Sequence, residues 1–153
     1  MSSYTGPLTS NKIPIRGRHH PLTGLTNRTF WMEQAENTLS AARLNHKEVG
    51  VLFLDLDHFK DVNDTLGHDA GDQVLQEAAR RIQATLRQSD LAGRLGGDEF
   101  VVLLAPHLND RNSAALNART VAEKLATQLN RPYTVGPNHL TLSVSIGISL
   151  FDG

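Results

Sequence analysis

Asp98 and Glu99 stand side by side at the mouth of an apolar strand, directly after Gly96 and Gly97. Adjacent carboxylates in such a place repel each other, and a divalent cation is the natural neutraliser. The flanking apolar runs, Leu91 to Leu95 and Phe100 to Leu104, lie close enough to form a tight β-hairpin. Glycines tolerate the positive φ that such a turn needs, and they leave room for a bulky ligand against the backbone. A solvated hairpin with polar ends is the plain alternative. A second acidic cluster shifts the balance. Val51 to Leu54 is a continuous apolar run that ends in Asp55-Leu56-Asp57-His58-Phe59-Lys60. Side chains alternate along a strand, so Asp55 and Asp57 share a face at its carboxyl end. Ligands of α/β sheets gather at that end. An EF-hand calcium loop does not fit. Counted from Asp55, the fifth and sixth positions hold Phe59 and Lys60; counted from Asp61, Leu66 replaces the required glycine. A magnesium site shared with a phosphorylated substrate fits better.

These acids need elements to bring them together. A helix is expected over residues 27–45, capped by Asn27, with Phe30, Trp31, Ala35, Leu39 and Ala42 on one apolar face. A strand follows at 50–56. A helix over 70–87 turns Val74, Leu75, Ala78, Ile82 and Leu86 inward. The hairpin strands span 91–95 and 99–105, and a helix near 114–130 carries Val121, Leu125 and Leu129. Residues 133–135 and 140–150 are expected to form another hairpin around Gly136-Pro137-Asn138. Its second arm alternates, with Leu140, Leu142, Val144, Ile146, Ile148 and Leu150 facing one way. This order implies the α/β (α+β) class, with a central mixed sheet flanked by helices. Residues 1–19 lack periodicity and read as a flexible leader or linker, with His19 and His20 as a linker or tag remnant. Residues 20–153 read as the domain.

Composition narrows the function. The chain has 153 residues, no cysteine and a formal net charge of −1. That length suits one domain. The lack of cysteine suits a reducing compartment, and a cytoplasmic location is expected. No apolar stretch approaches the roughly 20 residues of a membrane span, and the N-terminus lacks a signal-peptide core. Without a basic block or basic-aromatic stripe, nucleic-acid binding is not expected.

At this point a family resemblance comes in. Leu22-Thr23-Gly24-Leu25, Asn27-Arg28, Asp55 to Lys60, Asn63-Asp64, Gly67-His68, Gly71-Asp72, Gly96 to Phe100 and Ser145-Ile146-Gly147-Ile148 occur in sequence. Their order resembles that of GGDEF domains, the diguanylate cyclase family, over about residues 20–150. The resemblance implies a fold like that of nucleotidyl cyclases and polymerase palms. It implies condensation of two GTP into cyclic di-GMP with release of pyrophosphate.

The resemblance also assigns residues. Asp55, the backbone carbonyl of Leu56, Asp98 and Glu99 would hold Mg²⁺ (or Mn²⁺), and Asp98 would assist deprotonation of the attacking 3′-hydroxyl. Asn63 and Asp72 would read guanine, whose N1–H and exocyclic amine suit a carboxylate and whose O6 or N3 suits an amide. The plain alternative makes Asp72 a helix N-cap or first-turn acid and Asn63 a turn residue. His68 would line the ribose or base pocket. Phe59 and Lys60 would offer backbone N–H groups to phosphates, unless Phe59 simply packs in the core. Arg87 and Asp90 match an RxxD inhibitory site for cyclic di-GMP; the alternative is a charged helix end. One site handles one GTP, so a homodimer is implied.

Two departures stand out. His20 occupies the place of the family's aspartate before Pro-Leu-Thr. The chain ends soon after Leu150, so it is expected to lack the family's final helix and strand, with their triphosphate-binding Lys and Arg, and to be part of a larger protein. Two rival readings stay open: a catalytically impaired regulatory module binding GTP or cyclic di-GMP without turnover, and an oligomerisation module attached to a sensor.

Overall fold

A computed structural model of the chain describes residues 17–106 and 113–152. Helix α1 (Arg28–Leu44) starts where the Asn27 side chain accepts the Phe30 N–H at 2.9 Å. It buries Trp31, Ala35 and Ala42. Strand β1 (Glu48–Leu56) follows, then α2 (Phe59–Leu66) and α3 (His68–Thr85). The hairpin of β2 (Leu91–Gly96) and β3 (Glu99–Leu104) leads to α4 (Ala114–Leu129), β4 (Tyr133–Val135), β5 (Asn138–Leu140) and β6 (Val144–Asp152).

The main sheet runs β2-β3-β1-β6. Strand alternation divides β1 between two cores. Leu52, Leu54 and Leu56 join Phe100, Val102 and Leu104 in a cluster with residues of α2, α3 and α4. Val49 and Val51 join Val101 and Leu103 in a second cluster with Trp31, Ala35 and Ala42 of α1. Burial on both faces explains the continuous apolar run of β1. The α1 side is covered only as far as Val51. Phe53 and Asp55, next along that face, are exposed, which opens the strand's carboxyl end to ligands.

Arg81 locks α3 to the end of α4. Its guanidinium donates to the carbonyls of Gln128, Arg131 and Pro132 at 3.0, 2.8 and 2.7 Å. It also lies 4.0 Å from the centre of the Tyr133 ring.

Four expectations need revision. The helix placed at 70–87 spans His68–Thr85, and the separate helix α2 precedes it. Gly67 breaks the two apart with φ +95, a conformation that favours glycine. The hairpin expected from 133–135 and 140–150 divides. The β4–β5 pair forms its own small sheet, and β6 crosses to pair with β1. The clean alternation does continue into β6, yet Ile148 and Leu150 remain 44% and 39% exposed, because β6 is an edge strand. The strand ladders are all antiparallel among the described residues, so the sheet is not mixed; the one parallel contact is an isolated bridge, Thr26 to Gly93.

The end of the expected leader also differs. Residues 1–16 lie outside the described residues, but 17–19 pack on the domain. The Asn27 N–H donates to the Arg18 carbonyl at 2.8 Å, and His19 bridges Thr26. His19 and His20 thus make contacts within the domain.

Candidate active site

The hairpin decides where the acids point. Gly96 pairs with Glu99, which leaves Gly97 and Asp98 as the turn. Gly97 has φ +51, so the glycine is required there. Asp98 is therefore in the turn itself, not beyond it. The Leu56 N–H donates to the Asp98 carbonyl at 3.3 Å, tying the turn to the end of β1. In the β1–β3 ladder Asp55 lies opposite Glu99.

Asp55 and Asp98 meet across this junction. Burial, then a hydrogen bond and like charge from Asp98, then the charge of Asp57 raise the Asp55 carboxyl above the ordinary carboxylate range. Asp57 takes another role. The hydroxyls of Ser143 and Ser145 each donate to its carboxylate at 2.7 Å, and its own N–H donates to the Ser143 carbonyl at 2.9 Å. The hydrogen bonds from Ser145 and then Ser143 lower its pKa. The shared face read from the sequence is real, but Asp57 straps β1 to β6 instead of facing Asp98.

Among the described residues no group of three or more acid, imidazole or thiol side chains is gathered for a metal. Glu99 is exposed. A magnesium-type ion nevertheless needs only one or two carboxylates, completing its shell with water and substrate phosphates. The Asp55–Asp98 pair fits that demand, because a cation would favour the charged form that burial and then Asp98 disfavour at Asp55.

The base-reading candidates sit on α2 and α3. Phe59 is buried in the core, so its side chain packs there, while Lys60 beside it is exposed. Both open α2, where helical N–H groups lack intrahelical partners. Asn63 is half-buried within α2, not in a turn. Asp72 is exposed on α3, whose N-cap is Gly67 and whose first-turn acid is Asp69. The alternative of Asp72 as a cap or first-turn residue therefore fails. His68 is exposed at the start of α3.

Arg94 connects these parts and was not singled out from the sequence. Its Nε donates to the Gly97 carbonyl at 2.9 Å. Burial lowers its pKa, against the favourable charges of Asp72 and Asp98. Its Nη1 lies 3.3 and 3.0 Å from the two ring nitrogens of His20. Its place just before the two glycines was the available signal. Ser143 and Ser145, which hold Asp57, gave none beyond their alternation.

Arg87 and Asp90 lie beyond the end of α3. The Asp90 carboxylate is buried and accepts the N–H groups of Arg87 and Ala105 at 3.0 and 3.2 Å. Arg87 Nε lies 3.5 Å from the same carboxylate. Asp90 thus anchors the chain between α3 and β2, and Arg87 remains partly exposed beside it.

Residues 18–153 match the family described as "Diguanylate cyclase, GGDEF domain". The chain belongs to that family. This GGDEF domain is 41% identical over 134 residues to the cyclic di-GMP phosphodiesterase NbdA of Pseudomonas aeruginosa, covering 88% of the domain but 16% of NbdA. It is 39% identical over 137 residues to the diguanylate cyclase TpbB of the same organism, covering 89% of the domain and 30% of TpbB. The chain therefore spans a third or less of these relatives. A solved structure comprising only the GGDEF domain of TpbB superposes with a TM-score of 0.80 at 40% identity, covering 87% of this domain and 75% of that one. The GGDEF domain of DgcB from Caulobacter crescentus, solved in complex with cyclic di-GMP, gives 0.78 at 27% identity over 88% of this domain and 78% of that chain. Cyclic di-GMP synthesis is the chemistry for which the family is named. Among the described residues no helix of the GGDEF domain is long and apolar enough to cross a membrane.

Proposed function

We propose that this domain condenses two GTP into cyclic di-GMP, releasing pyrophosphate, when two copies face each other with one GTP apiece. The observation that supports this is the junction of Asp55 and Asp98 at the open end of β1. Asp55, the Leu56 carbonyl, Asp98 and Glu99 are the groups offered to Mg²⁺ or Mn²⁺, which when bound would supply neutralisation of phosphate charge. The Asp98 carboxylate receives the proton of the 3′-hydroxyl. A 3′-oxygen-to-α-phosphorus bond forms, and the bond from the α-phosphorus to the bridging oxygen of pyrophosphate breaks. Asn63 and Asp72 hold guanine, His68 lines the nucleoside pocket, and the N–H groups of Phe59 and Lys60 meet phosphate. Arg87, with Asp90 behind it, is the proposed contact for product at an inhibitory site. Product analysis after incubation with GTP and Mg²⁺ tests the reading. Cyclic di-GMP with stoichiometric pyrophosphate supports it; bound GTP with neither product removes it.

A regulatory reading draws on one observation. A close relative, NbdA, is named a phosphodiesterase although it contains a region 41% identical to this domain. On that reading the domain holds GTP or cyclic di-GMP without turnover. Calorimetric binding of GTP unaccompanied by pyrophosphate release selects it.

A further inference from the structure

Gly71 sits in the body of α3, where glycine costs stability relative to alanine unless something requires it. Something does. A methyl group built on Gly71 would overlap the side-chain oxygen of Asn63, and would stand 2.9 Å from Asn63 Cγ and 3.2 Å from Phe59 Cζ. Phe59 and Asn63 are one helical turn apart on α2. Their shared face thus lies directly against the backbone of α3, and the amide of Asn63 fills the space that a side chain would take.

The surroundings of the amide are held in place. Phe59 is buried in the core and cannot yield. The backbone is pinned as well, because the Gly67 N–H donates to the Asn63 carbonyl at 2.9 Å and the Gly71 N–H donates to the Gly67 carbonyl at 3.1 Å. Only the end of the Asn63 side chain is free to swing. Asp72 follows Gly71 directly on α3 and is exposed.

We infer that Gly71 is a specificity-determining positioning residue: its missing side chain seats the Asn63 amide against α3, and that seat sets the preference for guanine over adenine. This rests on the reading that Asn63 contacts guanine. Gly71 itself touches no substrate.

Three variants test it in this chain: Gly71→Ala, Asn63→Ala and the double variant. Each is titrated with Mg·GTP and Mg·ATP by calorimetry, and its urea midpoint is measured. Gly71→Ala is expected to stay folded, to weaken GTP binding at least tenfold, and to narrow the GTP-to-ATP ratio by a similar factor. In the Asn63→Ala background the same change should cost no further GTP affinity. There it should also lower the urea midpoint less than in the parent, because the overlap with the amide is gone and only the 3.2 Å contact with Phe59 Cζ remains. If Asn63→Ala loses GTP affinity but Gly71→Ala binds GTP and ATP like the parent, the guanine reading stands and this inference alone is overturned. An equal loss from Gly71→Ala with and without Asn63 overturns it too. Full GTP affinity in Asn63→Ala removes the guanine reading, and the inference falls with it.

Discussion

Two groups of acids on this domain meet opposite fates. Glu77 on α3 is held by Arg81 at 2.8 Å and by Arg80. Arg80 and then Arg81 pull its pKa down to about 2, against the opposing effect of burial. Asp55 and Asp98 face one another, and among the described residues neither forms an ion pair. Burial and Asp98 push Asp55 upward instead. The first group is complete and serves the packing of α3 on α4 and β4. The second is incomplete, and the fold holds it so. Carboxylates brought together where packing does not require them are what the proposed cation site rests on.

The comparison can be broken most directly at the incomplete pair. Asp98→Ala should cut cyclic di-GMP formation at least ~100-fold, about 2.7 kcal/mol of barrier, while the melting temperature holds or rises as the repulsion is lifted. A sharp fall in melting temperature would mean that Asp98 is part of the fold's own cohesion. At the complete group the pattern should reverse. Arg81→Met removes the three carbonyl contacts and should destabilise the domain by ~2–4 kcal/mol, read from urea unfolding. Retained stability would show that Tyr133 and the α4 end are held without it.

Glu77→Gln sharpens the contrast with a smaller effect and a defined pH window. The Glu77 value is lowered on folding, so its contribution is present above the ordinary glutamate range and is lost as the pH falls through about 2. The variant should be less stable at pH 7 and equal to the parent at the acid end; a gap that persists there would assign the effect to lost packing. The smallest effect is expected at His20. Burial and then Arg94 lower its pKa, so its contribution is present above the ordinary histidine value of about 6.5 and fades as the pH drops below it. His20→Asn should flatten that part of the stability profile. An unchanged slope would remove His20 as its source.

The sequence carried the local devices. Continuous apolar runs marked β1 and the two arms of the hairpin, helical spacing marked α1 and α4, and the Asn27 cap functions as read. Each depends on residues within a few positions of one another. The break at Gly67 stayed hidden because α2 is only 8 residues long, too short for a clear helical stripe.

At the site, residue types determined that acids, an amide and glycines occur at the right intervals for metal and nucleotide chemistry. Tertiary structure alone decided which acid serves which purpose. Asp55 and Asp57 are equivalent by alternation, yet Ser143 and Ser145 arrive from β6 and the segment before it to occupy Asp57, leaving Asp55 to face Asp98. The pairing of β6 with β1 made that choice, and so did the contact of α2 with Gly71 for Asn63. Both join residues distant along the chain. Hydrogen bonding and excluded volume act through space, so no local pattern could have ranked the candidates.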